Sequence, residues 1–248
     1  MCKEKVKHLY FWNDLSIIYP DKNNIINYIE IILDEFFSEI TYSNEYLNIS
    51  VITNNNFSNW KKKVLTTTTT TNPIICVGTR PNIVFNNCYD NMISIYPVRE
   101  RDCNGFTSNV HISYNDRNRM IHMINNNKTV TILEDVIVCG VTMKTLLDII
   151  MSDMFFVEKV YVKTFIYNKN SVMNLIDNSL KGFDFNGFIE MYGRSIIDST
   201  CLCFSDVLYG NIKGMNLSES REKLSLYFGD RVNDFLELLE LCKTLLFI

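Results

Sequence analysis

One stretch constrains the fold more than any other: residues 129–150, Thr-Val-Thr-Ile-Leu-Glu-Asp-Val-Ile-Val-Cys-Gly-Val-Thr-Met-Lys-Thr-Leu-Leu-Asp-Ile-Ile. Residues 130–133 are a β-branched apolar run of the kind buried inside a parallel sheet. Glu134 and Asp135 follow, then a short turn holding Gly140. The helix after it carries Met143, Leu146, Leu147, Ile150 and Met151 on one face. Two carboxylates at a strand end, followed by the free amides of a helix start, suit a ligand that carries both hydroxyls and a phosphate. The amides and the helix dipole attract the phosphate, while the carboxylates accept from diol hydroxyls or hold a hydrated metal.

The order of these residues resembles the phosphoribosyl-pyrophosphate (PRPP) signature of the type I phosphoribosyltransferases. There an apolar strand leads into two acids, two apolar residues, a small polar pair, Gly, any residue and Thr. Glu134, Asp135, Val136, Ile137, Gly140 and Thr142 match, and the Glu-Asp order is nearest the purine-salvage (hypoxanthine-guanine) branch. Val138 and Cys139 depart from it, removing an acid–base carboxylate and a phosphate-binding hydroxyl. The resemblance implies that Glu134 and Asp135 are the catalytic pair, holding the ribose hydroxyls directly or through the waters of Mg²⁺. It implies that Val136, Ile137, Val138, Cys139, Gly140, Val141 and Thr142 cradle the 5′-phosphate. The plainer alternative is a βα unit of any doubly wound sheet, with both acids simply solvated.

Two further segments acquire roles from the same resemblance. Residues 73–77, Pro-Ile-Ile-Cys-Val, form a buried strand ending in Gly78-Thr79-Arg80. In the family this loop holds diphosphate: a glycine admits the ligand to the backbone and a guanidinium grips it bidentately. Residues 92–98 are the next strand, followed by Arg99 and Arg101, then by a loop over 103–108 with the turn signal Asn104-Gly105. The family carries a mobile covering loop here, which makes Arg99 and Arg101 candidate diphosphate ligands. Surface arginines on turns are the alternative at each position.

Elsewhere the chain yields elements without chemistry. Residues 6–18 read as a short strand or packing arm, and a helix follows Pro20-Asp21 with Ile25, Ile26, Ile29, Ile32, Leu33, Phe36 and Phe37 on its apolar face. Residues 47–53 read as a strand. The tract Thr66–Thr71 fits an extended edge strand or a loop. Helices are expected over 116–124 and 171–180, and a strand over 159–167, which completes a strand–helix–strand crossover with the signature. Phe183, Phe185, Phe188 and Tyr192 fit either a base-stacking surface or a core. Two helices, 218–227 and 231–246, end the chain.

Composition narrows the classes. A net charge of −4 argues against a nucleic-acid-coating surface. No apolar run approaches the roughly 20 residues that span a bilayer, and the polar start is unlike a secretory signal, so a cytoplasmic protein is expected. The eight cysteines include no CxxC pair and His8, His111 and His122 share no spacing, so no zinc site is expected.

The expectation is therefore an α/β protein, a mostly parallel sheet flanked by helices. Residues 1–72 would pack on a core over 73–180, and 181–248 would form a hood or helical elaboration. It would bind PRPP or a nucleotide with Mg²⁺, with a homodimer as a possible assembly. It would transfer 5-phosphoribosyl to a base-like nitrogen, or alternatively sense the nucleotide without catalysis. A purely structural module is the third class.

Overall fold

Every strand of the two larger sheets runs parallel to its neighbours. This topology forces each connection to cross over a face of its sheet, which is why the chain alternates strand and helix. The computed structural model describes residues 7–43, 46–101, 107–124, 127–154, 156–177, 182–192, 199–208, 221, 224–225 and 227–247. The chain divides into two compact units: residues 57–100 with 107–191, and residues 1–56 with 101–106 and 192–248.

In chain order the strands are β1 (Lys7–Trp12), β2 (Leu47–Ile52), β3 (Ile74–Val77), β4 (Met92–Ile95), β5 (Val98–Arg101), β6 (Thr107–His111), β7 (Thr129–Ile137), β8 (Lys159–Asn168), β9 (Phe183–Met191) and β10 (Ser199–Cys203). The helices are α1 (Leu15–Ile18), α2 (Asn23–Ser43), α3 (Asn54–Thr67), α4 (Thr79–Phe85), α5 (Tyr114–Ile124), α6 (Val141–Asp153), α7 (Lys169–Asp177), α8 (Phe204–Leu208) and α9 (Val232–Phe247).

The larger unit is an α/β fold with the sheet order β4-β3-β7-β8-β9, and β5 pairs separately with β6. One face of the sheet packs Val130, Ile132, Val160 and Val162 against Met120 and Ile124 of α5, Met143, Leu146 and Ile150 of α6, and Val172 of α7. An aromatic cluster joins α3 and α4 to β8: Phe57 meets Phe165 edge-on at 5.0 Å, and Trp60 lies 5.5 Å from Phe85. Helices therefore flank both faces. From β3 the chain steps outward to β4, then returns to place β7 on the other side of β3. Right-handed crossovers in opposite directions put α4 and α6 on opposite faces of the sheet. The crevice where ligands enter such sheets lies at this reversal, outside the carboxyl ends of β3 and β7.

Three segments differ from the sequence expectation. The tract Thr66–Thr71 is helical as far as Thr67, the end of α3, with Thr68–Thr71 in the turn after it, rather than an edge strand or a loop throughout. Poor helix formers are overridden there by burial of Phe57, Trp60 and Val64 on one helical face. At the helix end, Lys163 of β8 donates to the hydroxyls of Thr67 at 2.8 Å and Thr68 at 2.9 Å. Residues 92–98 do not form one strand: Pro97, which has no N–H to donate, separates β4 from β5. Phe183–Met191 is no hood segment but the edge strand beside β8. Phe183 and Phe185 pack against the core, Phe188 stacks on Phe165 at 5.9 Å, and Tyr192 is exposed.

The smaller unit has its own parallel sheet, ordered β10-β1-β2. Residues 7–12, read as a short strand or arm, are its central strand. Its core gathers Ile26, Ile29, Leu33 and Phe37 of α2 with Phe235 and Leu239 of α9, around Leu9 and Phe11. Phe228 stacks on Phe235 at 4.4 Å. Buried Asp14 accepts from the Ser205 N–H at 2.7 Å and from its hydroxyl. The expected helix over 218–227 falls largely outside the described residues. Among the described residues, no helix is long and apolar enough to cross a membrane.

The aromatic cluster yields a stability test. Trp60→Ala leaves a void among Phe57, Phe85 and Phe165 and is expected to cost about 3–5 kcal/mol in urea unfolding. Lys62→Ala, on the exposed face of the same helix, is expected to change stability by less than about 0.5 kcal/mol.

Candidate functional site

β7 is longer than the sequence implies, and this places the acidic pair inside the strand. Val136 pairs with Ile166 and Ile137 with Tyr167, so β8 carries the ladder two residues past Asp135. Val136 and Ile137, expected in the phosphate cradle, are therefore strand residues. The connecting loop is Val138-Cys139-Gly140, and Val141 begins α6.

Successive side chains of a strand point to opposite faces. Glu134 and Asp135 thus turn to different sides of the sheet, and each meets an arginine there. Asp135 Oδ2 lies 3.1 Å from Arg80 Nη1, in the first turn of α4, with both side chains largely buried. Asp135 also accepts the Val136 N–H at 2.9 Å, and its carbonyl accepts from the Thr164 hydroxyl at 3.3 Å.

Glu134 sits between Val77 of β3 and Thr164 of β8 and is 2% exposed. Its Oε1 lies 3.6 Å from Arg99 Nη2, and its Oε2 is buried with no hydrogen-bond partner. Arg99 reaches in from β5 and its Nε donates to Thr142 Oγ1, in the first turn of α6, at 3.1 Å. Burial pushes the Glu134 carboxyl up to about 8, against the nearby Arg99 charge and with help from Asp135.

Glycines shape both loops. Gly78 has φ +85°, a left-handed conformation that L side chains resist, and its N–H donates to Ile95 O at 2.9 Å. Gly140 caps α6 with φ 76° and ψ −1°. Exposed Thr79 leads into Arg80. Val138, Cys139 and Val141 are half-buried, and Thr142 is buried. Arg101 ends β5, but its side chain lies outside the described residues, as do residues 102–106 of the expected covering loop.

The structure thus brings together Gly78, Arg80, Arg99, Glu134, Asp135, Gly140 and Thr142 at the reversal of strand order. Sequence reasoning missed Ser171, whose hydroxyl donates to the Val138 carbonyl at 2.6 Å, and Asn168, whose Oδ1 accepts the Ser171 N–H at 3.2 Å. A usable signal existed for Asn168: an Asn just before a helix is an N-cap residue whose side-chain oxygen accepts a backbone N–H two or three positions on. Among the described residues no group of three or more His, Cys, Asp or Glu is placed to hold a metal.

The sequence matches no family model and no curated protein. Among solved structures, the chain is similar to a hypothetical protein from Neisseria gonorrhoeae with bound ppGpp, at 11% identity and a TM-score of 0.40, over 68% of this chain and 88% of that one. It is similar to a hypoxanthine phosphoribosyltransferase from Staphylococcus aureus, at 18% identity and a TM-score of 0.34, over 53% and 73%. It is also similar to the adenine phosphoribosyltransferase from Trypanosoma brucei in complex with AMP, pyrophosphate and ribose-5-phosphate, at 10% identity and a TM-score of 0.35, over 48% and 56%.

The raised Glu134 pKa sets a pH dependence. Between the ordinary 4.5 and about 8 the folded chain keeps a proton that the unfolded chain has lost. The associated stability is full below the lower value and is lost as pH rises through the upper one. Tm of the wild type is expected to fall more between pH 5 and pH 9 than that of Glu134→Gln. Parallel profiles in a thermal melt series would contradict the assignment.

Proposed function

We propose that this chain is a phosphoribosyltransferase-like protein that binds PRPP or a nucleoside monophosphate. It transfers the 5-phosphoribosyl group to a nitrogen of a base-like acceptor and releases diphosphate. The observation that carries this is the convergence of two arginines, two carboxylates and the first turn of α6 on one sheet reversal. The ribose hydroxyls would donate to Glu134 and Asp135, and the 5′-phosphate would sit on the loop 138–140 and the amides of Val141 and Thr142. Arg80 and Arg99 would leave their carboxylates for the diphosphate, whose charge they match better. Arg101 remains a candidate for the same role.

In the transfer, the bond from the ribose anomeric carbon to diphosphate oxygen breaks and diphosphate leaves with the electron pair. The acceptor nitrogen forms the new bond, and its proton passes to the departing diphosphate or to water. With valine at 138 the loop offers no proton acceptor, so this chain contributes positioning and charge stabilisation.

Mg²⁺ fits only as a ligand-borne ion. Two carboxylates supply too few oxygens for octahedral coordination, and the rest must come from phosphates and water. When bound, such an ion neutralises diphosphate charge, and Glu134, whose Oε2 lacks a partner, and Asp135 would hold its waters.

The second function is nucleotide sensing without transfer, and it is favoured by one observation: Val138 and Cys139 bring no hydroxyl or carboxylate to the loop. The separating experiment is calorimetric binding of PRPP with Mg²⁺, wild type against the double variant Glu134→Ala/Asp135→Ala, followed by a diphosphate-release assay with purine bases. Binding abolished in the variant, together with release, is the expected result. Binding of a nucleoside monophosphate without PRPP would establish the sensor, and binding of neither would defeat both functions.

A further inference from the structure

The loop Val138-Cys139-Gly140 has no hydroxyl of its own, yet the first turns of α7 brace it. Ser171 Oγ donates to the Val138 carbonyl oxygen at 2.6 Å, while the other acceptor in reach, Asn168 Oδ1, stands at 3.5 Å. The shorter contact wins the proton. Asn168 is 2% exposed and anchors Ser171 by accepting its backbone N–H at 3.2 Å. That contact also fixes which end of the amide is oxygen, leaving Asn168 Nδ2 buried without a partner. Beneath Gly140 the same helix leaves little room: a Cβ there would stand 3.4 Å from Leu175 Cδ1 and 3.6 Å from Ser171 Cβ.

The direction of one carbonyl decides what this loop offers. In a planar trans peptide the C=O and the following N–H point to opposite sides, and no cis peptide bond occurs among the described residues. Drawing the Val138 carbonyl onto α7 therefore turns the amide edge of the 138–139 peptide away from α7. Gly140, in its left-handed conformation, then leads directly into α6, whose first-turn N–H groups have no intrahelical acceptor. Were the 138–139 peptide flipped, a carbonyl oxygen would stand in the loop mouth and repel an anion.

We propose that Ser171 is a positioning residue of this loop: its hydroxyl holds the Val138 carbonyl against α7, so that the loop presents amide edges to the phosphate of a sugar phosphate. A backbone device held from the neighbouring helix stands in for the side-chain hydroxyls that Val138 and Cys139 do not supply. The inference rests on the proposed function, in which this loop receives the 5′-phosphate. Ser171 itself touches no ligand.

The test is calorimetric titration with ribose 5-phosphate of the full chain, as wild type, Ser171→Ala and Ser171→Thr, with Tm measured for each. The expected result is about tenfold weaker binding in Ser171→Ala, the scale of one hydrogen bond lost. Tm should stay close to wild type, and affinity should return in Ser171→Thr, which keeps the hydroxyl. A second readout is specific to the loop: phosphate should shift the amide resonances of Cys139 and Gly140 in the wild type more than in Ser171→Ala. Equal affinities in wild type and Ser171→Ala would overturn the role of Ser171 while leaving the site intact. Failure of Ser171→Thr to recover binding would also overturn it, because packing and not the hydroxyl would then carry the effect. A wild type that binds no ribose 5-phosphate would instead remove the phosphate site on which the inference stands.

Discussion

The structure of the larger unit depends on how two carboxylates are accommodated at the end of a buried strand. Glu134 and Asp135 are adjacent on β7, so alternation sends them to opposite faces of the sheet, and neither can relieve the other. Arg80 from α4 answers Asp135, and Arg99 from β5 answers Glu134 while also binding Thr142. Each contact ties a segment outside β7 to the strand and so orders the site. The arrangement is incomplete. Glu134 keeps one buried oxygen without a partner, and such a group costs about 1–3 kcal/mol. An apolar residue here would remove that cost, so packing of the sheet gives no reason for an acid at this position, whereas the proposed function does.

The topology explains why these particular residues meet. β3 and β7 are neighbours in the sheet but are separated in sequence by β4, the β5–β6 pair and α5. Only the reversal of direction between β4 and β7 brings the Gly78–Arg80 turn beside the acids, and it also puts α4 and α6 on opposite faces. Each acid therefore faces the start of a different helix. Arg99 follows β4 at Pro97 and sits close enough to this reversal to reach both Glu134 and α6.

Much of this was legible in the sequence because the signals are local. The apolar run, acidic pair, glycine and amphipathic helix of 129–150 lie within one βα unit, and 73–80 is a second short unit of the same kind. What was not legible depends on distant partners. β7 runs on to Ile137 because Ile166 and Tyr167 of β8 continue the ladder, and nothing near Val136 announces this. The pairing of β10 with β1 joins Ser199 to His8 across most of the chain, and Ser-Thr-Cys-Leu-Cys carries no local mark of a sheet edge. For α3 the cue was present in the spacing of Phe57, Trp60 and Val64, but Asn and Thr propensity pointed elsewhere. The Ser171 contact lay between the two cases: its capping pattern is local, while its acceptor belongs to another loop.

The cross-paired charges also limit what can occupy the site. An anion that draws Arg80 and Arg99 away leaves Asp135 and nearly buried Glu134 without their counter-charges. Glu134, which burial already keeps protonated up to about 8, would hold that proton still more firmly, and Asp135 would require a donor. A ligand that supplies only phosphate creates this deficit without meeting it. A ligand whose phosphates stand next to a pair of hydroxyls meets both needs, since the hydroxyls donate to the carboxylates that the arginines have left. The same reasoning disfavours a flat apolar ligand, which would displace neither pair and would bury both. Under the proposed function the ion pairs would act as a selectivity filter by linkage, favouring chemistry that replaces each broken contact with one of the same sign, as a phosphorylated ribose would.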